Sequence, residues 1–185
     1  MMSLAQKYKK SLTQKWSLRF KVKRTGDNYD GVVMMIRPTF IVLQELTSFY
    51  FDGIIILPKK VISGYRDNQF DRCKNEIIRQ NRAINKLSLP KWLQSCQSVP
   101  QILIEMMERG IWPAIESVSK DKPGSALYLG QVDEVGNVGL YIYCYDAAGK
   151  WEKEYYLSYQ NIIKIELNSD YCKNFNRYMK SKFDK

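Results

Sequence analysis

The pattern of apolar and polar positions along this chain is written twice. DGIIILPKKVISGYRDNQF (residues 52–70) is an apolar run, a short polar break, a second apolar run and a polar lead into Phe70. KEYYLSYQNIIKIELNSDY (153–171) repeats that profile. Aligning Gly31 with Gly130 brings the halves into step, so that GVVMMIRPTFIVLQELT faces GQVDEVGNVGLYIYCYD. Further on Ile56 faces Leu157, Val61-Ile62 faces Ile162-Ile163, and Ile77-Ile78 faces Tyr178-Met179. Few identities survive. The repetition lies in the order of elements, which is the mark of a duplicated unit.

Each copy predicts five strands. The first is Ser17–Arg24 or 112–119, and in the first copy Leu18, Phe20 and Val22 alternate with Arg19, Lys21 and Lys23. Period-two alternation marks a half-buried strand. The turns TGDN and KDKPGS lead to a second strand starting near Tyr29 or Leu127. The third is Phe40–Leu46 or Leu140–Tyr145, the fourth Gly53–Leu57 or Glu154–Leu157, and the fifth Val61–Tyr65 or Ile162–Leu167. Pro58 has no N–H to give a ladder, so it ends the fourth strand. Only about three residues then separate two apolar strands, which predicts a sharp bend that sends the fifth strand around the far side of a barrel.

A five-stranded sheet bent in this way resembles the Sm-like small β-barrels, once per half. The whole resembles uncharacterised bacterial proteins with two such barrels in tandem. The fold class expected is therefore mainly β with α (α+β): two five-stranded Sm-like barrels, each followed by a helix and joined by a helical linker. The resemblance implies RNA contact through the turns Arg37-Pro38-Thr39 with Lys59-Lys60, and Gly136-Asn137 with Tyr159-Gln160-Asn161. The chain departs from that pattern where the family carries Arg-Gly: Ser63-Gly64 and Lys164-Ile165 stand there instead.

The helices have their own signals. Phe70, Cys73, Ile77 and Ile78 fall on one helical face, as do Tyr171, Phe175, Tyr178 and Met179. Asp67 or Asn68 is placed to cap the first of these helices. VPQILIEMMERG has Pro100 in its first turn, a stripe of Ile102, Leu103, Met106 and Met107, and Gly110 as its stop. A short helix over Leu4–Lys15 precedes the first barrel. The expected organisation is 1–80 for the first helix, barrel and following helix, 81–111 for the linker, and 112–185 for the second barrel and C-terminal helix.

Composition narrows the function classes. The chain has no histidine, which removes Ser-His-Asp and Cys-His catalysis and the commonest zinc ligand. There is no Gly-rich phosphate loop. Glu105 and Glu108 lie opposite an apolar stripe, and Asp133-Glu134, Glu152 and Glu154 read as solubility. Cys73, Cys96, Cys144 and Cys172 are isolated and read as buried free thiols. The polar, basic N-terminus and the lack of a long apolar run predict a soluble cytoplasmic protein that does not enter a membrane.

The net charge of +10 is uneven, because residues 1–24 hold eight cations and no acid. Arg19, Lys21 and Lys23 form a ridge open to two readings: contact with nucleic-acid phosphate, or an edge kept from pairing with other chains. Lys59 and Lys60 divide the same way, between RNA contact and solvated turn. Tyr141, Tyr143 and Tyr145 alternate with Leu140, Ile142 and Cys144. The tyrosines are either an exposed face for a partner or, as the pattern favours, a buried packing ladder. The expected function is a non-enzymatic adaptor that binds another protein and needs no cofactor. Weak, sequence-indifferent binding of RNA or other single strands is the first alternative. A carboxylate- or tyrosine-dependent enzyme is the second.

Overall fold

The structure, a computed structural model, describes residues 3–23, 25–80, 87–118 and 124–183. Arg24, Ser119, the KDKP part of the second copy's turn and residues 81–86 of the expected linker lie outside the described residues. The fold is α+β, with antiparallel sheet throughout both of its compact units, Met1–Gln94 and Ser95–Lys185. Among the described residues no helix is long and apolar enough to cross a membrane.

The first unit runs α1 (Leu4–Gln14), β1 (Ser17–Val22), β2 (Asn28–Ile36), β3 (Phe40–Thr47), β4 (Tyr50–Pro58), β5 (Ile62–Arg66) and α2 (Gln69–Gln80). The short helix α3 (Lys91–Ser95) follows. The second unit repeats the order: α4 (Val99–Glu108), β6 (Ala114–Val118), β7 (Ser125–Val135), β8 (Gly139–Tyr145), β9 (Trp151–Ser158), β10 (Ile162–Leu167) and α5 (Asp170–Phe183). The repeating unit is thus helix, five strands, helix, and the helix expected to be a linker is the second unit's counterpart of α1. Both entry helices start alike: the Ser3 and Ser98 hydroxyls accept from the N–H groups of Gln6 and Gln101, both at 3.3 Å. α1 then packs on β2, and α4 on β7.

Strand order is β5-β1-β2-β3-β4 in the first unit and β10-β6-β7-β8-β9 in the second. The fourth and fifth strands are the two ends of each order, so neither unit is the closed five-stranded barrel expected from the sequence. Closure needs those two strands to pair, whereas the fifth strands β5 and β10 pair with β1 and β6. Pro58 ends β4, and a single 3-10 turn, Lys59–Val61, swings β5 away to pair with β1.

The two sheets are irregular at matching places. β2–β3 shifts register between Val33 and Met35, and β7–β8 between Val132 and Glu134. The shared glycines sit just before these shifts. A Cβ on Gly31 would lie 2.6 Å from the Gln44 carbonyl oxygen. One on Gly130 would collide with the Tyr143 carbonyl oxygen and lie 2.8 Å from its carbon. Close backbone approach requires glycine at both positions. The register also makes Tyr156, opposite Tyr141, the counterpart of Ile56, opposite Val42. That corrects the sequence alignment by one residue in the fourth and fifth strands.

The first core forms as β1 predicted. Leu18, Phe20 and Val22 are buried with Val33, Leu43 and Ile55. Full burial of a side chain such as Phe20 contributes about 1.5–3 kcal/mol. The expected stripe of α4 is buried at Ile102, Leu103 and Met106, while those of α2 and α5 are corrected in part. Phe70 is 81% exposed and Cys73 is also exposed; α2 keeps Ile78 inward, as expected, and turns Asp71 and Asn75 in beside it. Polar tertiary partners select that face. Arg66 forks onto Asp71 at 2.8 and 3.0 Å. Asn75 donates to the Ser17 carbonyl at 3.0 Å and accepts from the Ser17 N–H at 2.7 Å. Asn68 caps the helix by accepting from the Asp71 N–H. In α5 the inward residues are Cys172 and Met179, while Tyr171 and Tyr178 are exposed. Asn176 repeats the clamp by donating to the Trp112 carbonyl at 2.8 Å.

Candidate interaction faces

Part of the basic N-terminal segment is engaged within its own unit. Arg19 donates to both Asp30 oxygens, at 2.6 and 2.7 Å, and Lys74 adds a third contact at 2.8 Å. Burial by itself would raise the Asp30 pKa; the hydrogen bonds from Arg19 and Lys74 outweigh it and hold the carboxyl below its usual range. Lys7 pairs with Asp67, and the Lys10 ammonium lies 5.0 Å from the centre of the Trp16 ring. Of the expected ridge, Lys21 and Lys23 are exposed and Arg19 is half-buried. The Lys23 N–H donates to the Val61 carbonyl at 2.7 Å, which brings the end of β1 beside the turn carrying Lys59 and Lys60. Lys59 is half-buried over the Tyr8 ring, and Lys60 is exposed.

The tyrosines of β8 divide. Tyr141 and Tyr143 are 38% and 39% exposed, while Tyr145 is 3% exposed. The expected three-residue ladder is therefore corrected to two outward rings and one buried ring. The register shift at Tyr143/Tyr145 places its extra residue in β9, so β8 keeps its alternation, and Tyr145 is buried because Trp112, Phe175 and Asn176 cover it. There its hydroxyl donates to Asn176 at 2.8 Å and its ring stacks on Phe175. Burial pushes its pKa upward.

The outward rings belong to a wider aromatic face. Tyr141 meets Tyr156 of β9 at 5.2 Å between ring centres, and Tyr143 stacks on Trp151 at 4.8 Å and 8°. Strand pairing sets Glu134 opposite Tyr141, and Glu154 opposite Tyr143. Directly opposed residues share a face, so carboxylates flank both rings. The Glu154 pKa is raised by lost hydration, by a hydrogen bond shared with Asp133 and by the charge of Glu134, which marks three acids drawn together. In the first unit Val42 and Ile56 hold the places of Tyr141 and Tyr156, and both are fully buried. The acid-rimmed aromatic face is specific to the second unit.

Sequence reasoning missed Trp151, Tyr156 and the placement of Glu134 and Glu154. A usable signal was present in WEKEYYLS, where Glu154 and Tyr156 keep period two. Among the described residues no group of three or more His, Cys, Asp or Glu is arranged to hold a metal ion. Burial raises the Cys144 thiol to about 12 and the Cys172 thiol to about 11, and both stay protonated at neutral pH. Compared with known protein families, curated proteins and solved structures, the chain matches none.

Proposed function

We propose that the chain is a non-enzymatic adaptor made of two Sm-like modules, and that the second docks a basic segment of another protein. The order fifth-first-second-third-fourth, with a one-turn link before the fifth strand, supports the Sm-like reading as an open rather than a closed sheet. One observation carries the function: Tyr141, Tyr143 and Tyr156 are left exposed on a face that also gathers Asp133, Glu134 and Glu154. Tyrosine rings bury area at low entropic cost and attract cations over their faces. Neighbouring carboxylates make Lys and Arg the matching side chains. Fluorescence polarisation with a labelled Lys/Arg-rich peptide tests this. The intact chain binds it, the paired substitutions Tyr141→Ser and Tyr143→Ser weaken binding by about tenfold, and an acidic peptide does not bind. Equal affinity for the two peptides, or for the substituted chain, would rule the reading out.

A second reading, polyanion contact through Lys21, Lys23 and Lys60, rests on the hydrogen bond from Lys23 to Val61 that brings these cations to one end of the first unit. It predicts binding of inorganic polyphosphate that falls with salt and is lost in Lys21→Glu/Lys23→Glu.

A further inference from the structure

We infer that α5 and the β8–β9 turn form a second binding surface, for single-stranded nucleic acid, in which one base enters a cleft and flanking cations hold the backbone. The cleft has a volume of about 350 Å³ and is lined by Ala147, Ala148, Asn174, Phe175 and Tyr178. It is built from parts already rigid. The Asp146 carboxylate accepts from the N–H groups of Ala148 and Lys150, both at 2.9 Å, and this fixes the turn. Gly149, at φ 70°, packs against the Tyr178 ring, where a Cβ would collide. Lys182 donates to the Gly149 carbonyl at 3.0 Å and ties the helix to the turn.

The chemistry of the wall matches a nucleotide. Tyr171, Asn174, Phe175, Tyr178 and Lys182 recur at helical spacing and form one stripe of α5. Tyr171 and Tyr178 offer exposed rings for stacking, and the Asn174 amide offers both a donor and an acceptor to a base edge. Four cations stand in this helix against one acid, Asp170, which pairs with Lys173. Arg177, exposed and one turn beyond Asn174, lies beside the stripe. This surface carries the opposite charge to the acid-rimmed tyrosines of the same unit, so the two do not compete for one ligand.

The test uses the full chain and a fluorescein-labelled uridine oligonucleotide in low salt, read by polarisation. Binding is expected, and it weakens by about tenfold in Tyr178→Ala and again in Arg177→Glu. Arg177→Glu alters only an exposed side chain, so its effect cannot come from a damaged core. Lys21→Glu/Lys23→Glu leaves the affinity unchanged. Inorganic polyphosphate, which has charge without bases, competes poorly. The inference is overturned if no binding occurs in low salt, if neither α5 substitution changes it, if polyphosphate competes as well as the oligonucleotide, or if the β1 substitutions abolish it. Loss of binding in the Tyr141→Ser/Tyr143→Ser chain would likewise move the site elsewhere, whereas failure of the basic-peptide assay leaves this surface unaffected.

Discussion

Replacing Asn75 with alanine breaks the join between α2 and β1. Asn75 is 2% exposed, and its side chain closes both backbone groups of Ser17 and the Asp71 carbonyl of its own helix. Alanine leaves the Ser17 N–H and C=O buried without these partners, at about 1–3 kcal/mol for each group left unsatisfied. Alanine's better helix propensity returns about 0.5 kcal/mol. The expected net loss is about 1.5–5.5 kcal/mol, confined to the first unit. Asn176→Ala removes a comparable clamp from a half-buried site, where water reaches the groups left behind, and costs about 1–2 kcal/mol. Asn75→Asp keeps the acceptor but sets a buried carboxylate oxygen against the Ser17 and Asp71 carbonyl oxygens, so it costs at least as much as Asn75→Ala. Urea unfolding followed by hydrogen exchange, resolved to peptides of each unit, reads these losses separately. A cost for Asn75→Ala within about 0.5 kcal/mol of zero would refute the reasoning, as would a cost below that of Asn176→Ala.

Two further substitutions probe the fold. Gly130→Ala meets immovable backbone at Tyr143 and Cys144, 2.8 and 2.9 Å away, and costs at least about 2 kcal/mol in urea unfolding. Gly136→Ala, whose nearest neighbour is the Gly139 carbonyl oxygen at 3.5 Å, stays within about 0.5 kcal/mol of the parent; equal costs at the two sites would show that the pinch is not the cause. For pH, the Asp30 pKa lies below its unfolded value of about 3.9, so its contribution is complete above that pH and is lost as pH falls through the lower folded value. Asp30→Asn therefore flattens the fall in melting temperature below about pH 4, and an unchanged acid profile would contradict this.

Element order was legible in the sequence because apolar runs and turn residues act locally. The starts of β1 and β3, both ends of β10, the Pro58 break and the place of Pro100 in the first turn of α4 needed no knowledge of partners. What was not legible depends on contacts between elements. Phe70 and Cys73 fit an apolar helical stripe, but Arg66 on the preceding strand and Ser17, distant in sequence, reward the face that carries Asp71 and Asn75. The five-residue α3 is too short to show a period. Closure depends on lateral pairing of β4 and β5, about which neither strand's own pattern says anything. The candidate face was half visible. Alternation found Tyr141 and Tyr143 but carried on to Tyr145, because the residues that cover Tyr145, Trp112, Phe175 and Asn176, lie on other elements and leave no mark in the strand's own pattern. Tyr156 and the two flanking glutamates became part of the face only through the pairing of β7 and β9 with β8.

The adaptor reading is tested most directly by a footprint of the basic peptide on the folded chain. Hydrogen exchange is measured with and without saturating Lys/Arg-rich peptide, using peptides that cover β3, β8, β9 and α5. Exchange is expected to slow in β8 and β9 around Tyr141, Tyr143 and Tyr156, and to stay unchanged in β3, where Val42 replaces the tyrosine. Protection confined to the first unit or to α5, or no protection at saturation, would contradict the account.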